Sequence, residues 1–228
     1  VLYADSLVNE DLIAKAKPTA EILKTAGMHL EEMVDVMADR IQQGKKVVRV
    51  HTGDPAVYGA IMEQIVLLKK KGIEVEIVPG VSSVFAAAAA AQAELTIPDL
   101  TQTVILTRAE GRTPVPEFEK LADLAKHHCT IALFLSATLT KKLVKELTGA
   151  GWSMDTPVAV VYKASWPDQK IVRTTLERLD EDMRVNGIRK QAMILAGWAL
   201  DENIHEQDYR SKLYDKTFTH GFRRGVES

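Results

Sequence analysis

The sequence predicts an α/β protein built from two domains. Short β-rich apolar runs alternate with segments of helical period along nearly the whole chain, the pattern of strands joined by crossover helices. Twice in the first half a strand-like run ends in a glycine turn that opens a helix, at Gly53 and again at Gly80. At 228 residues, 46% of them hydrophobic, the chain can bury cores for one large or two small domains. A break at Leu95-Thr96-Ile97-Pro98-Asp99 divides the alternation. The expected domains are therefore 1–100, with a parallel sheet and right-handed crossovers, and 101–228, with a mixed sheet.

Val1-Leu2-Tyr3-Ala4 reads as a strand that starts abruptly. Asn9 to Ala16 follows as a short helix stopped by Pro18, and Ala20 to Leu23 as a short strand. Leu30, Met33, Val34, Met37 and Ile41 recur at helical spacing, which predicts an amphipathic helix over 29–43 ended by Gly44. Its methionines read as core filling. Strand 45–50 leads into His51-Thr52-Gly53-Asp54-Pro55, and Ile61, Ile65, Val66 and Leu68 give the next helix. Lys69-Lys70-Lys71 closes that helix as a solvated turn favoured by the helix dipole. Ile73 to Val78 is expected to be a second strand, followed by Pro79-Gly80-Val81-Ser82-Ser83 and an alanine-rich helix at 86–91.

Past the break the expected order is strand 102–107, polar loop 108–116, helix 118–126 and strand 130–135. Helix 138–148 then ends at Gly149 and Gly151, strand 157–162 meets the loop 163–169, and strand 170–174 follows. Helix 175–186 stops at Gly187, and 191–197 is a last apolar strand.

Gly53 has no Cβ, so the backbone can pass close to a ligand there, and Pro55 fixes the bend behind Asp54. A bare Gly-Asp-Pro is still most simply a βα turn with a capping aspartate, and Ser82 and Ser83 are most simply helix caps. Together, Thr52-Gly53-Asp54-Pro55 and Val78-Pro79-Gly80-Val81-Ser82-Ser83 resemble the tetrapyrrole methylase family, and the likeness extends along nearly the whole chain.

The resemblance implies a class III methyltransferase fold, with S-adenosylmethionine (SAM) in a cleft between two α/β domains. Three second-half stretches share it: Leu133-Phe134-Leu135-Ser136, Ala164-Ser165-Trp166-Pro167-Asp168-Gln169, and Ala192-Met193-Ile194-Leu195-Ala196-Gly197. Ala164 stands where relatives commonly have glycine. Relatives also open earlier, with a further strand and a glycine-rich loop that this sequence does not contain. Carried over residue by residue, the cofactor contacts are Thr52, Gly53, Asp54, Val57, Ser82, Ser83, Leu135, Ala164 and Met193. For the apolar members, plain core packing is an equal reading. Asp54 is the candidate for more than scaffold, orienting SAM or a pyrrole N–H, and is taken as the catalytic candidate.

Within the family, the chain is most similar to the subgroup that methylates precorrin-4, or its cobalt form, at ring carbon 11. His51-Thr52-Gly53-Asp54-Pro55, Thr107-Arg108, Ala164-Ser165-Trp166-Pro167 and a tail like Ser211-Lys212-Leu213-Tyr214-Asp215…Phe218-Thr219-His220-Gly221-Phe222-Arg223 carry that likeness. The implied reaction is attack of an electron-rich ring carbon on the SAM methyl group, leaving S-adenosylhomocysteine. A polycarboxylate tetrapyrrole calls for guanidinium groups able to grip carboxylates. Arg108 and Arg112 in the polar loop are the substrate candidates, with a solvated loop the equal alternative; Arg49 is a weaker one.

Composition narrows the partners. Basic and acidic side chains nearly balance, 29 against 31, so no bulk charge argues for nucleic acid or a membrane surface. Nor does any apolar run reach the roughly 18 residues of a membrane span. The single Cys129 excludes an internal disulfide and a cysteine metal cluster, and fits a cytoplasmic protein. No metal site is expected, because His127 and His128 point apart at a helix end. A homodimer is expected, as in relatives. Rival readings are a family member acting on an earlier precorrin or uroporphyrinogen III, and a non-catalytic SAM-binding module.

Overall fold

The computed structural model describes residues 2–4, 7–206 and 209–226. Two compact units emerge, Val1–Phe85 and Ala86–Ser228. The division falls inside a helix, ahead of the Pro98 break that suggested a boundary near residue 100.

In the first unit three short strands, β1 (Leu2–Ala4), β2 (Ile22–Lys24) and β3 (Val48–Val50), form a parallel sheet in the order β2-β1-β3. Helix α1 (Glu10–Ile13) is capped by the Asn9 side chain, which accepts from the Asp11 N–H at 2.9 Å. Helix α2 (Leu30–Gln42) lies where its apolar period places it, burying Val34 and Met37 beside Leu68 of α3 (Ile61–Lys70). Arg40 on α2 grips Glu21, just before β2, with two donors at 2.8 Å each. That fork holds the Glu21 carboxyl down at about 2.

The expected strand at 73–78 does not form: among the described residues it joins no ladder. Val75, Ile77 and Val78 are exposed there. Alternation can show that a segment is fit to be a strand, but only a neighbour's N–H and C=O groups make it one. Helix α4 (Ser83–Ala90) begins earlier than expected, directly after the second glycine turn.

The second unit carries the larger core. Strands β4 (Val104–Arg108), β5 (Thr130–Phe134), β6 (Pro157–Tyr162), β7 (Lys170–Thr175) and β8 (Ala192–Ala196) form one sheet in the order β4-β5-β8-β6-β7. Strands β4 and β5 run parallel, whereas β8 is antiparallel to both β5 and β6 and β7 to β6, so the sheet is mixed as expected. The central strands β5, β6 and β8 are continuous apolar runs buried on both faces. Helix α6 (Thr140–Gly149) adds Leu143 and Leu147, and α7 (Leu179–Val185) adds Leu179 and Met183.

Two helices came out shorter than their patterns. Helix α5 covers only Leu121–Leu124, because Lys120 is extended (ψ 136°) and splits it from a 3-10 turn at Glu117–Glu119. Helix α7 waits until Leu179, because Thr175 is still paired with Pro157 in the β6–β7 ladder.

Candidate active site

The two glycine turns of the first unit are built against each other. Gly53 has φ +70°, a backbone state that side-chain-bearing residues rarely adopt. A Cβ added there would sit 3.2 Å from the Ser83 nitrogen and 3.7 Å from the Ser82 Cα. At Gly80 the fit is closer, since a Cβ would lie 2.2 Å from the Gly53 carbonyl oxygen. The contact between the loops therefore requires glycine at position 80, while at position 53 the left-handed backbone is the main demand and the contact a tight one. The sequence reading assigned the room at Gly53 to a ligand; in the structure its missing side chain faces the 81–83 backbone.

Asp54 fastens this contact. One carboxylate oxygen accepts from the Ala56 N–H at 2.8 Å, closing the turn, and the other accepts from the Gly80 N–H at 2.9 Å, reaching the second loop. The Ala56 bond and then the Gly80 bond hold the carboxyl below its ordinary range. A depressed carboxyl contributes stability that is fully present above its ordinary value of 3.8 and lost as pH falls through the lower folded value. The clip is thus complete at neutral pH.

Beyond it the chain stays tight. Tyr58 and Ala60 take left-handed backbone (φ 56° and 49°), and a Cβ on Gly59 would fall 2.2 Å from the Pro55 carbonyl oxygen. Thr52 is exposed and Val57 half-buried in this turn; Ser82 is buried, its Oγ accepting from the Val84 N–H at 3.4 Å where α4 begins. Strained backbone of this kind persists only where its surroundings enforce it, and it concentrates at functional loops.

In the second unit, the sheet register gathers the other predicted residues at one end. Leu133 on β5 pairs with Ile194, and Tyr162 on β6 pairs with Ala192. The ends of β5 and β6 therefore flank the start of β8. Leu135, Ala164 and Met193 all lie at this end, and the end of β4 at Arg108, which pairs with Phe134, joins them.

Leu135 is 67% exposed with φ 52°, a strained apolar residue held out at a strand end. The buried Ser136 behind it accepts from the Ala109 N–H at 3.0 Å and donates to the Phe134 carbonyl at 2.6 Å, tying the ends of β4 and β5 together. Met193 is only 5% exposed, so its side chain belongs to the core. Among this group, the exposed strained leucine and the loop around Ala164 are the features that packing alone does not require.

The two arginines separate. Arg108 donates to the carbonyls of Thr113 at 3.1 Å and Pro114 at 2.6 Å, so it shapes the polar loop. Arg112 is exposed in that loop, with no ion pair or hydrogen bond among the described residues. His128 stacks on Trp152 at 6.1 Å, and no group of three His, Cys, Asp or Glu residues that could hold a metal occurs among the described residues. No helix among them is long and apolar enough to cross a membrane.

Sequence reasoning passed over Gly80 as a site residue, as well as Ser136. Gly80 stood inside a motif already singled out, so its signal was present. The role of Ser136 depends on tertiary pairing that no local pattern encodes.

Residues 1–180 match the family model described as Tetrapyrrole (Corrin/Porphyrin) Methylases. The chain belongs to the tetrapyrrole methylase family. Among family members, the chain is 81% identical over its full length to a cobalt-precorrin-4 C(11)-methyltransferase of Priestia megaterium, covering 88% of that protein. A crystal structure of a cobalamin biosynthetic enzyme, cobalt precorrin-4 methyltransferase, superposes with a TM-score of 0.86 at 80% identity, covering 88% of this chain and 84% of the other. A uroporphyrin-III C-methyltransferase of Thermus thermophilus, solved with S-adenosyl homocysteine, gives a TM-score of 0.68 at 26% identity, covering 87% and 85%.

Proposed function

We propose that this tetrapyrrole methylase transfers a methyl group from SAM to carbon 11 of cobalt-precorrin-4 in cobalamin biosynthesis. The observation that carries the reading is the full-length 81% identity to an enzyme named for that reaction, on a chain whose two motif loops lock together through Asp54 and Gly80. Such identity, together with a structural likeness at a TM-score of 0.86, favours the cobalt form over the metal-free one, because both proteins are named for it.

We assign the cofactor to Thr52, Gly53, Asp54, Val57, Ser82 and Ser83 in one unit and to Leu135, Ala164 and the backbone at Met193 in the other. Bound SAM supplies a methyl group on a sulfonium, whose departure as a thioether needs no protein nucleophile. The ring carbon forms the new C–C bond as the C–S bond breaks, and its electrons remain on sulfur. What the chain must do is hold and align, and alignment alone supplies several kcal/mol, on the order of 7–11 in the best cases. Asp54 serves this by fixing the two loops, a positioning role. Because both its oxygens already accept backbone N–H bonds, proton transfer by Asp54 is not part of the reading.

Arg112 is the group we assign to a substrate carboxylate, and Arg108 shapes the loop that presents it. The finer readings that go with this one are a cytoplasmic homodimer acting on a free small molecule, without nucleic acid or membrane. The direct test is mass spectrometry of the protein mixed with SAM and cobalt-precorrin-4. Gain of one methyl by the corrinoid, with release of S-adenosylhomocysteine, is expected. Binding of SAM without turnover would favour a non-catalytic module, and transfer only to uroporphyrinogen III would favour another family activity.

A further inference from the structure

We propose that Lys163 is a positioning residue, locking the strained loop after β6 so that the Ala164 backbone is presented to the SAM site. This rests on the cofactor reading above. Ala164 sits between two residues in left-handed backbone, Lys163 at φ 47° and Ser165 at φ 71°, neither of them glycine. Two such residues around one alanine do not persist without restraint.

Lys163 supplies that restraint from several directions. Its N–H donates to the Gln191 carbonyl at 2.8 Å, pinning the loop to the start of β8. Its Nζ donates to Asp168 at 2.6 Å, closing the loop across its mouth. The same ammonium lies 5.2 Å from the centre of the Tyr162 ring and 4.9 Å from that of Trp166, within cation–π range of both. On the far side, the Gln169 side chain accepts from the Ser165 N–H at 2.7 Å.

The lysine side chain is only 18% exposed although it opens a surface loop. The bond to Asp168 first keeps its ammonium charged, against burial as the next effect, with Tyr162 adding a smaller push in the same direction as Asp168. A surface ion pair alone would be worth little. Here the cation also lies against two rings, and the lysine's own N–H pins the loop at Gln191, just ahead of the β8 start where Ala192 pairs with Tyr162 and Met193 with Val161.

Calorimetry with S-adenosylhomocysteine tests the proposal on the full chain. Lys163→Met and Asp168→Asn should each weaken binding about tenfold, and the double variant should lose no more than either alone, because both open one latch. Lys163→Arg, which keeps the charge and the ring contacts, should restore most of the affinity. In turnover, Lys163→Met should raise KM for SAM while kcat at saturating SAM holds. If the wild type binds the ligand and Lys163→Met binds it equally well, the proposal is wrong. A fall in Tm and kcat with KM unchanged would make Lys163 merely structural and equally overturn it. Should the wild type itself fail to bind, the cofactor reading falls instead, and this proposal with it.

Discussion

At the scale of single residues, the glycines and the aspartate of the two loops make a sharper statement than the family motif does. A Cβ at Gly80 would stand 2.2 Å from a backbone oxygen, whereas one at Gly53 would stand 3.2 Å from a backbone nitrogen. Gly80→Ala should therefore be the more damaging change, costing about 1–3 kcal/mol of stability through overpacking. Gly53→Ala should cost about 1 kcal/mol, largely from its left-handed backbone. Thermal unfolding of the two variants orders them, and the reverse order would show that the loops do not rest on each other as described. The arginines divide in a similar way. Arg112→Ala should weaken tetrapyrrole binding about two- to fivefold and leave SAM binding unchanged, as befits an exposed charge. Arg108→Ala should instead free its loop, seen as faster amide exchange at 109–114. Equal loss of both ligands in the Arg112 variant would place that side chain in the scaffold.

Elements with a strong period were legible, and elements that exist only through partners were not. The apolar spacing of α2 placed it to within a residue at each end, because Val34 and Met37 must face one way to be buried. The strands β5, β6 and β8 were equally plain, since central strands are apolar on both faces. Their order β5-β8-β6 was not, because nothing local in Ala192–Ala196 says that it slips antiparallel between two strands far earlier in the chain. The same blindness hid Lys163, whose meaning depends on Gln191. It also made 73–78 look like a strand that forms no ladder. The packing of α6 supplies a test at this scale. Leu147 is fully buried in the larger core, so Leu147→Ala should cost about 2–5 kcal/mol in denaturant unfolding, while the exposed Met154→Ala changes little. A cost under about 1 kcal/mol would mean that α6 does not seat as described.

Across the whole molecule, the burden of stability is uneven. One cluster of the second unit joins residues from β5, β6, β8, α6 and α7, while the first unit's described clusters are small and its strands only three residues long. Amide hydrogen exchange should accordingly be slowest in β5, β6 and β8 and faster throughout β1, β2 and β3. Adding S-adenosylhomocysteine should slow exchange at 52–57 and 80–83, and also at 163–165. Protection confined to one unit would remove the other unit's residues from the cofactor assignment. The central claim, methyl transfer to one carbon of one substrate class, meets its most direct test in the product. SAM carrying a carbon-13 methyl group should yield a corrinoid whose label, by NMR, is bonded to ring carbon 11. A label bonded to any other ring carbon, or an unlabelled corrinoid after incubation with protein that binds SAM, would contradict it.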